Sequence, residues 1–413
     1  MSLPAHLTLR AITADETEAY IRRTEMFFAA DADDDFVKRT LEYTEPERSF
    51  AVFDGTTIAG VGSNATMQLS VPGGGMAALG GVTNVAVSPT HRRQGLAAAF
   101  MRRLVEDSRA RGEALSMLTA SEGTIYERFG YGPAMQMHTY KLPAERVQFV
   151  TDADEIAALV RKVELIEPDE AKRRFPAIQQ AAARTRPGMI VRDEAWWRAA
   201  LDYDFGSSMS DRRLAVLGDR AYAAFRVDDN WGDFGPEGEL AAAELVAADP
   251  IAEAALWQFL ASHDLITKLE VGSLPADHPM PFRLYDTETI KESVGDPFYL
   301  RLLDVPSALE ARAYGTAGRL VLEVTDTFLP DNAGRWELVA DAKGDAEGVA
   351  CTPTDRPADI TLDVSTLGSL YLGGVSAFRL ADAGRIAASS DAALAQAQAM
   401  FASERAPWNV VSF

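Results

Sequence analysis

The sequence of 413 residues is poor in cysteine and histidine. It contains one cysteine, Cys351, and five histidines, none of which lies four residues from another. A lone cysteine excludes an intrachain disulfide and any paired-cysteine zinc or redox site, and the histidine spacing excludes a helical His-Glu-x-x-His zinc site. We therefore expect no metal, and we predict a reducing, cytoplasmic location.

Positive charge is also scarce. The chain carries 40 lysines and arginines against 61 aspartates and glutamates, which gives a net charge of −21. Because so acidic a surface repels phosphate groups, the composition argues against general binding to nucleic acid or to an anionic membrane. The same charge suits a cationic substrate, although acidity also simply keeps a protein soluble.

Long uninterrupted hydrophobic runs are missing. Residues 55–91 contain no Asp, Glu, Lys or Arg, but Pro72, Asn64 and several glycines interrupt them. The pieces between these breaks alternate as buried strands do. The first 20 residues lack the apolar core of a signal peptide. We predict a globular protein without an integral membrane segment, and its length allows about two to four domains.

The order of strand and helix signals divides the chain into three regions. Residues 1–145 alternate strands and helices, residues 146–297 repeat a similar order more loosely, and residues 298–413 place short strands before helices. This organisation predicts an α+β protein of three domains. In the first two, a mixed, twisted sheet is flanked by helices.

One segment points to a specific chemistry. An apolar strand at 82–87 turns into the sequence RRQGLA, which opens a strongly amphipathic helix that Gly112 closes. The unpaired N–H groups and positive dipole end of a helix start bind a pyrophosphate. Gly95 and Ala97 leave room for a close approach, and Arg92 and Arg93 add charge-assisted hydrogen bonds. The plainer alternative is a strand–helix turn with surface arginines.

This segment resembles the acetyl-CoA signature of the GCN5-related N-acetyltransferases, [RQ]-x-x-G-x-[GA], after an apolar strand. The resemblance implies that two strands splay apart here and that the exposed strand backbone binds the pantetheine arm. It also implies a pyrophosphate loop and a neighbouring strand that ends near the acetyl group. The residues it assigns to acetyl-CoA are Val85, Ala86, Val87, Arg92, Arg93, Gln94, Gly95, Leu96, Ala97, Ser121 and Glu122.

A second segment, SEGTIYERFGYGP, follows that neighbouring strand. Acetyl transfer expels a thiolate, and a phenol with a pKa near 10 can protonate it as a general acid. Tyr126 is the candidate for this role. The alternatives are that Tyr126 only packs in the core, and that Tyr131 or neither tyrosine serves as the acid.

Together, THRRQGL, ASEGTIYERFGYGPA, a length near 400 and three domains resemble the Eis (enhanced intracellular survival) family. The resemblance implies a catalytic N-terminal acetyltransferase domain, a degenerate central one and a C-terminal sterol-carrier-protein-like (SCP2-like) domain. It further implies multi-site acetylation of aminoglycoside-like amines within a ternary complex, and a homo-hexamer built as a trimer of dimers. In that family the C-terminal carboxylate, here that of Phe413, draws the amine proton through water; an ordinary docked tail is the alternative.

The central region supports a single cofactor site. The sequence ELVAADPIAEAALWQFL stands where the first region has NVAVSPTHRRQGLAAAF. In place of RRQG it has DPIAE, which contains the acids Asp249 and Glu253 and no glycine. Two acids repel a pyrophosphate. We predict one acetyl-CoA per chain.

The acceptor site is less clearly marked. The family resemblance places it at the first two helices, where Glu25, Phe27 and Phe36 are candidates, although such residues are often core aromatics and solvated acids. Asn84 stands where aminoglycoside-acetylating relatives have an aromatic residue, which leaves the amine preference open. The alternatives are an acetyltransferase of protein lysines or N-termini, and a lipid-binding or scaffold protein with vestigial transferase activity.

Overall fold

The computed structural model of the chain describes residues 3–203, 211–341, 344 and 346–413. It consists of two compact units. The first contains Met1–Met135, Pro297–Glu404 and Phe413, and the second contains Gln136–Asp296 and Arg405–Ser412. Within the described ranges, no helix is long and apolar enough to cross a membrane.

The first part of the chain shows the predicted alternation of strands and helices. Its elements are β1 (Leu7–Ala11), α1 (Thr17–Phe27), α2 (Asp34–Tyr43), β2 (Ser49–Asp54), β3 (Thr57–Ser70), β4 (Met76–Val87), α3 (Leu96–Ala110), β5 (Leu115–Thr119) and β6 (Gly132–Pro143). The uncharged segment 55–91 forms β3 and β4, which confirms that it is buried β-structure.

The middle of the chain contains a similar series. Its elements are α4 (Ala153–Val160), β7 (Glu164–Ile166), α5 (Pro168–Ala183), β8 (Ile190–Val191), α6 (Glu194–Leu201), β9 (Arg213–Leu217), β10 (Ala221–Asp228), β11 (Trp231–Gly232), β12 (Gly235–Pro236), β13 (Gly238–Ala247), α7 (Pro250–Ala261), β14 (Ile266–Leu274), α8 (Met280–Arg283) and β15 (Lys291–Leu302). The short β11–β12 ribbon was not expected from the sequence.

The last part of the chain has a different character. Its elements are α9 (Val305–Glu310), β16 (Gly318–Thr325), β17 (Gly334–Ala340), β18 (Val349–Pro353), β19 (Ile360–Asp363), α10 (Val364–Tyr371), α11 (Ala377–Asp382), β20 (Ala387–Ala388) and α12 (Asp391–Phe401). The strands form one mixed sheet in the order β18-β17-β16-β19-β20. All eight residues of α10 are buried, so this helix lies inside the C-terminal fold.

In the first unit, the sheet runs in the order β1-β2-β3-β4-β5 and continues from β5 to the end of β15. Neighbouring strands are antiparallel except β4 and β5, which α3 connects in parallel. The spacing of Phe100, Leu104, Met101 and Val105 gives α3 one apolar face, and all four side chains are buried. On the other helical layer, α1 and α2 bury Tyr20, Ile21 and Val37.

The second unit repeats this topology. Its sheet runs β14-β13-β10-β9-β7, and α7 connects the parallel pair β13 and β14. The part of β6 from His138 to Pro143 pairs with β14, much as β15 pairs with β5 in the first unit. β6 therefore begins in the first unit and ends in the second, and β15 begins in the second unit and ends in the first. The predicted α+β class with mixed sheets is confirmed.

Candidate active site

The centre of the first unit is a fork between two parallel strands. The pairing of β4 with β5 covers Leu79–Gly81. From there β4 continues to Val87 along β3, while β5 continues along β15 to Thr119. The backbone edge of Val85, Ala86 and Val87 is therefore left without a strand partner on the β5 side within the described chain. Such an edge offers N–H and C=O groups to an extended ligand.

A β-bulge bends β4 at the fork. The register between β3 and β4 shifts at this point, and Asn84 adopts the left-handed conformation with φ of 60°. Asparagine tolerates this conformation better than most residues. Its side-chain amide donates a hydrogen bond to Ser63 Oγ at 3.2 Å. Asn84 thus shapes the strand, and bulges of this kind re-aim the residues that follow.

The predicted pyrophosphate loop lies directly after β4. Arg93 and Gly95 both have positive φ, 62° and 82°, so the chain turns tightly before α3 begins at Leu96. No side chain of the described residues caps this helix start. Its first N–H groups are therefore open to an anion. Arg92 and Arg93 are exposed, whereas Leu96 is buried in the core.

These features fit the pyrophosphate of acetyl-CoA. A glycine at position 95 both permits the positive φ and removes a side chain from the approach to the helix start. Gln94 and Ala97 are half-buried beside it. Among the residues that the structure describes, no group of three or more His, Cys, Asp and Glu side chains is placed to hold a metal ion.

Tyr126 lies in the turn after β5. It is 8% exposed and belongs to the same buried cluster as Leu96 and Leu118. Burial raises the pKa of the Tyr126 phenol above its usual value of 10, and the nearby Glu122 carboxylate adds to the rise. The phenol therefore keeps its proton at neutral pH, as a general acid must.

Tyr131 has a different environment. Its side chain is fully buried, and its hydroxyl forms a hydrogen bond of 2.8 Å with Ser116 Oγ. Burial raises the pKa of Tyr131 to about 12. The two rings meet edge to face, with centroids 6.4 Å apart. Because the Tyr131 hydroxyl already has a partner inside the core, it is less suited than Tyr126 to meet a substrate.

Two predicted cofactor residues lie after β5, and one of them, Ser121, was expected at the end of that strand. β5 ends at Thr119, so Ser121 and Glu122 lie in the following loop and are exposed. The physical reason is that the pairing of β5 with β15 stops at the pair Phe298–Thr119. Beyond it no ladder hydrogen bonds hold the chain extended.

Phe413 lies at the fork. A Cβ atom on Gly81, the last β4 residue paired with β5, would be 3.2 Å from Phe413 Cε2. The same atom would be 2.8 Å from the Met67 sulfur. Gly81 thus makes room for the last residue of the chain where the two strands part.

The predicted acceptor residues lie on α1 and α2. Phe27 and Phe36 are half-buried and pack against the core formed by Tyr20 and Ile21. Glu25 is half-buried, and burial raises the pKa of its carboxyl while the Arg39 charge opposes that shift. The two phenylalanines thus pack in the hydrophobic core, whereas Glu25 is not part of that core. Ala86 of β4 packs at the edge of the same core.

A buried ionic cluster, which no sequence pattern predicted, lies beneath the fork. The Arg48 side chain is fully buried and pairs with Asp107 at 3.0 Å and Glu113 at 2.7 Å. A Cβ atom on Gly80 would collide with Ser108 Oγ and would lie 2.7 Å from Glu113 Oε2. The cluster therefore supports the point where β4 pairs with β5. Its members are far apart in the sequence, so no local pattern marks it.

The central unit has a comparable strand fork but a closed helix start. The pairing of β13 with β14 ends at Ala242 while β13 continues to Ala247. The Asp249 carboxylate accepts hydrogen bonds from the N–H groups of Ile251 and Ala252, and it pairs with Arg220 at 2.7 Å. The helix N–H groups that would bind a phosphate are thus already used.

The end of the chain packs on the central unit, against β14 and the segment that precedes and forms β8. The Trp408 indole N–H donates to Ser273 O on β14, and the Trp408 amide donates to Pro187 O at 2.8 Å. Asn409 Oδ1 accepts from the Ile190 amide at 3.1 Å. The apolar tail APWNVVSF is therefore a docked segment in which Trp408 and Asn409 are buried.

Comparisons with known proteins agree with this geometry. Residues 8–134 and 188–302 each match a family described as an acetyltransferase (GNAT) domain, and residues 305–410 match a sterol carrier protein domain. Acetyltransferases of this fold use acetyl-CoA as co-substrate. The predicted architecture of two acetyltransferase folds and one sterol-carrier fold is confirmed.

Similar proteins cover nearly the whole chain. An uncharacterized N-acetyltransferase of Streptomyces coelicolor is 38% identical over 89% of this chain and 90% of its own. The N-acetyltransferase Eis of Mycobacterium tuberculosis is 36% identical over 85% of this chain and 84% of its own. The crystal structure of Eis1 from Mycobacterium abscessus superimposes with a TM-score of 0.85 at 30% identity, covering 98% of this chain and 100% of that one. The open strand fork, the uncapped helix start and these relatives together show that the chain is an acetyl-transferring enzyme of the Eis family of GCN5-related N-acetyltransferases.

Proposed function

We propose that the N-terminal domain, residues 1–145, transfers an acetyl group from acetyl-CoA directly to primary amines of a polycationic, aminoglycoside-like small molecule. Acetylation at several positions of one acceptor and a ternary complex are part of this proposal. The observation that carries it is the open fork between β4 and β5, which leads into the uncapped start of α3. In this proposal the central domain (146–297) has no transfer chemistry, and the C-terminal domain (298–413) ends in the active site, where it contributes the carboxylate of Phe413.

The residues around the fork divide into two groups in the proposal. The backbone of Val85, Ala86 and Val87 binds the pantetheine arm, and the loop from Arg92 to Ala97 holds the pyrophosphate. The two exposed arginines supply charge-assisted hydrogen bonds, and the helix N–H groups supply the cradle. Ser121 and Glu122 lie in the exposed loop after β5, so we propose for them a contact at the edge of the site.

The chemical step needs two proton transfers. The amine nitrogen bonds to the acetyl carbon and the carbon–sulfur bond breaks. The Phe413 carboxylate, acting through water, accepts the proton that the amine loses, and the Tyr126 hydroxyl donates a proton to the departing thiolate. The support for these roles is the position of Phe413 beside Gly81 and the buried, protonated phenol of Tyr126.

The acceptor site is proposed to lie along α1 and α2. The half-buried Glu25 carboxylate is the group best suited to attract an amine, with Phe27 and Phe36 as its apolar surroundings. Asn84 offers an amide where aminoglycoside-acetylating relatives carry an aromatic ring. A peptide amine is the competing acceptor. Lipid binding by the C-terminal domain is the competing function.

An acetylation assay tests the proposal. Purified protein and acetyl-CoA are offered aminoglycosides, polyamines and peptides with free lysines or N-termini, while thiol release is recorded and mass spectrometry counts acetyl groups. We expect turnover on aminoglycosides with more than one acetyl group per product. Turnover on peptides alone would replace the acceptor class. No turnover on any amine, with lipid retained in native mass spectrometry, would favour the lipid-binding function.

The role of Phe413 has a separate test. Adding a short polar extension after Phe413 moves the carboxylate away from Gly81, and we expect loss of most turnover with acetyl-CoA binding unchanged. Full activity with the extension would contradict this role. A hexamer, measurable by light scattering, and a cytoplasmic location remain predictions from the family resemblance and from cysteine usage.

A further inference from the structure

The turn that carries Tyr126 is held by the C-terminal fold of the same unit. The Arg301 side chain is fully buried, and its Nη1 donates a hydrogen bond to Phe129 O in the turn. Its Nη2 donates to Asp326 Oδ2 at 2.5 Å. Asp326 follows β16 and is itself fixed, because its other oxygen accepts from the amides of Phe328 and Leu329.

Two glycines of the turn allow this contact. A Cβ atom on Gly130 would collide with the Arg301 guanidinium and would lie 2.8 Å from Val364 Cγ1. Gly130 also has a φ of 82°, which favours glycine. A Cβ atom on Gly132 would collide with Ser365 O. Both glycines of the FGYG sequence are therefore required by the close approach of Arg301, Val364 and Ser365.

Further contacts reinforce the same attachment. Glu127, the residue after Tyr126, pairs with Arg385 at 2.5 Å, and the Phe129 and Phe328 rings meet edge to face at 5.2 Å. Within the turn, Tyr126 O accepts hydrogen bonds from the amides of Phe129 and Tyr131. The hydrogen bond from Arg301 to Phe129 therefore also restrains the backbone of Tyr126.

From these contacts we infer that Arg301 of β15, held by Asp326 of the sterol-carrier-like fold, is a positioning residue that orients Tyr126 toward the departing sulfur. The inference rests on the proposed role of Tyr126 as the acid. It gives the sterol-carrier-like fold, through Asp326, a part in acetyl transfer that needs no bound lipid. General acids contribute strongly only when their geometry is right, and a misplacement of about 1 Å costs about 100-fold in rate.

The test uses a double variant, Arg301→Met with Asp326→Asn. Changing both residues removes both buried charges together, so neither is left without a counter-charge. Asparagine keeps the oxygen that accepts from the Phe328 and Leu329 amides, while Phe129 O loses its donor. We expect kcat to fall about 10- to 100-fold with the KM for acetyl-CoA within about twofold. Arg319→Met, which removes an exposed ion pair with Glu337 in the same domain, is the matched control and should leave kcat unchanged.

Two further measurements separate positioning from simple loss of folding. Circular dichroism should show the double variant folded at the assay temperature. The double variant is also combined with Tyr126→Phe. If Arg301 acts through Tyr126, kcat of the triple variant should equal that of Tyr126→Phe alone. A further 10-fold loss in the triple variant, or a folded double variant with normal kcat, would overturn the inference.

The result also distinguishes this inference from the proposed function. If Tyr126→Phe is inactive and the folded double variant has normal kcat, only the positioning role of Arg301 fails. If Tyr126→Phe keeps full activity, the acid assignment in the proposed function fails, and with it the basis of this inference.

Discussion

The first and central acetyltransferase folds share a strand fork followed by a helix, yet they treat the start of that helix in opposite ways. In the first, α3 begins after Gly95 with no side-chain cap and two exposed arginines beside it. In the central fold, Asp249 caps α7 and pairs with Arg220. An Asp cap stabilises a helix by about 1 kcal/mol. The fold is therefore compatible with both arrangements, and the open helix N–H groups are the basis for our proposal that the first copy binds acetyl-CoA.

The central fold has no open helix start for a phosphate, but it still contains a cavity. A cavity of about 330 Å³ lies at its fork, lined by Ala241–Glu244 of β13 and by the aromatic rings of Phe175, Trp197 and Phe225. Yet the end of the chain docks at Ser273 nearby, and Asp249 occupies the helix start. We therefore propose that binding of acetyl-CoA depends on a few turn residues rather than on the presence of a cleft.

The largest effect that would sharpen this comparison is expected for Tyr126→Phe. Because the variant removes the proton donor but keeps the ring in the core, we expect kcat to fall at least about 100-fold with little change in acetyl-CoA affinity. Steady-state thiol release and calorimetry measure the two quantities. Tyr285→Phe, which changes an exposed tyrosine of the central unit, is the control. Unchanged turnover in Tyr126→Phe would refute the assignment.

The second effect concerns the pyrophosphate loop. The double variant Arg92→Ala with Arg93→Ala removes two charge-assisted donors, and we expect the Kd for acetyl-CoA to rise about 10- to 100-fold. Calorimetry on the wild type should give one acetyl-CoA per chain, because only the first fold is expected to bind it. A stoichiometry of two per chain would contradict the proposed difference between the two folds.

A smaller effect is expected in the central copy. Asp249→Ala removes the cap of α7, and we expect a local loss of about 1 kcal/mol, or about fivefold faster hydrogen exchange at the start of the helix. The neighbouring Glu253, paired with His278 at 3.1 Å, keeps that helix start acidic. We therefore expect no second acetyl-CoA site in this variant, and the appearance of one by calorimetry would contradict our explanation of the lost site.

The last prediction is that kcat does not change with pH near neutrality through titration of Tyr126. Tyr126 must carry its proton to act, and burial raises its pKa above the usual value of 10. Loss of activity through this group therefore begins only when the pH rises past that raised pKa. We expect kcat to show no decline attributable to Tyr126 between pH 7 and about 10. A decline below pH 9 that disappears in Tyr126→Phe would contradict a buried, protonated phenol.

The sequence predicts the parts of this molecule that are local in the chain. The strand–turn–helix around Gly95 and the helix that follows Asp249 each depend on residues within a few positions of one another, and both are found where they were expected. The cap that Asp249 forms is a local feature that the sequence analysis did not name. The turn at Tyr126 follows β5 as predicted. Periodicity and capping chemistry are sufficient for such features.

Other features depend on residues that meet only in the folded chain. Arg48 lies 65 positions from Glu113, and Arg301 lies 172 positions from Phe129. The left-handed conformation of Asn84 follows from a register shift between two strands, and β6 and β15 pair away from their sequence neighbours. No single-sequence pattern carries such information, because each partner alone is an ordinary arginine, asparagine or strand.

The contacts of Gly130 and Gly132 tie the first acetyltransferase fold to the C-terminal domain. In a fragment that ends near residue 145, the surfaces now packed against Val364 and Ser365 would face water, and the Phe129 carbonyl would have no guanidinium to bind. We therefore expect the first acetyltransferase fold to be less stable when it is separated from the C-terminal domain. Substitutions on the two sides of these contacts are expected to co-vary.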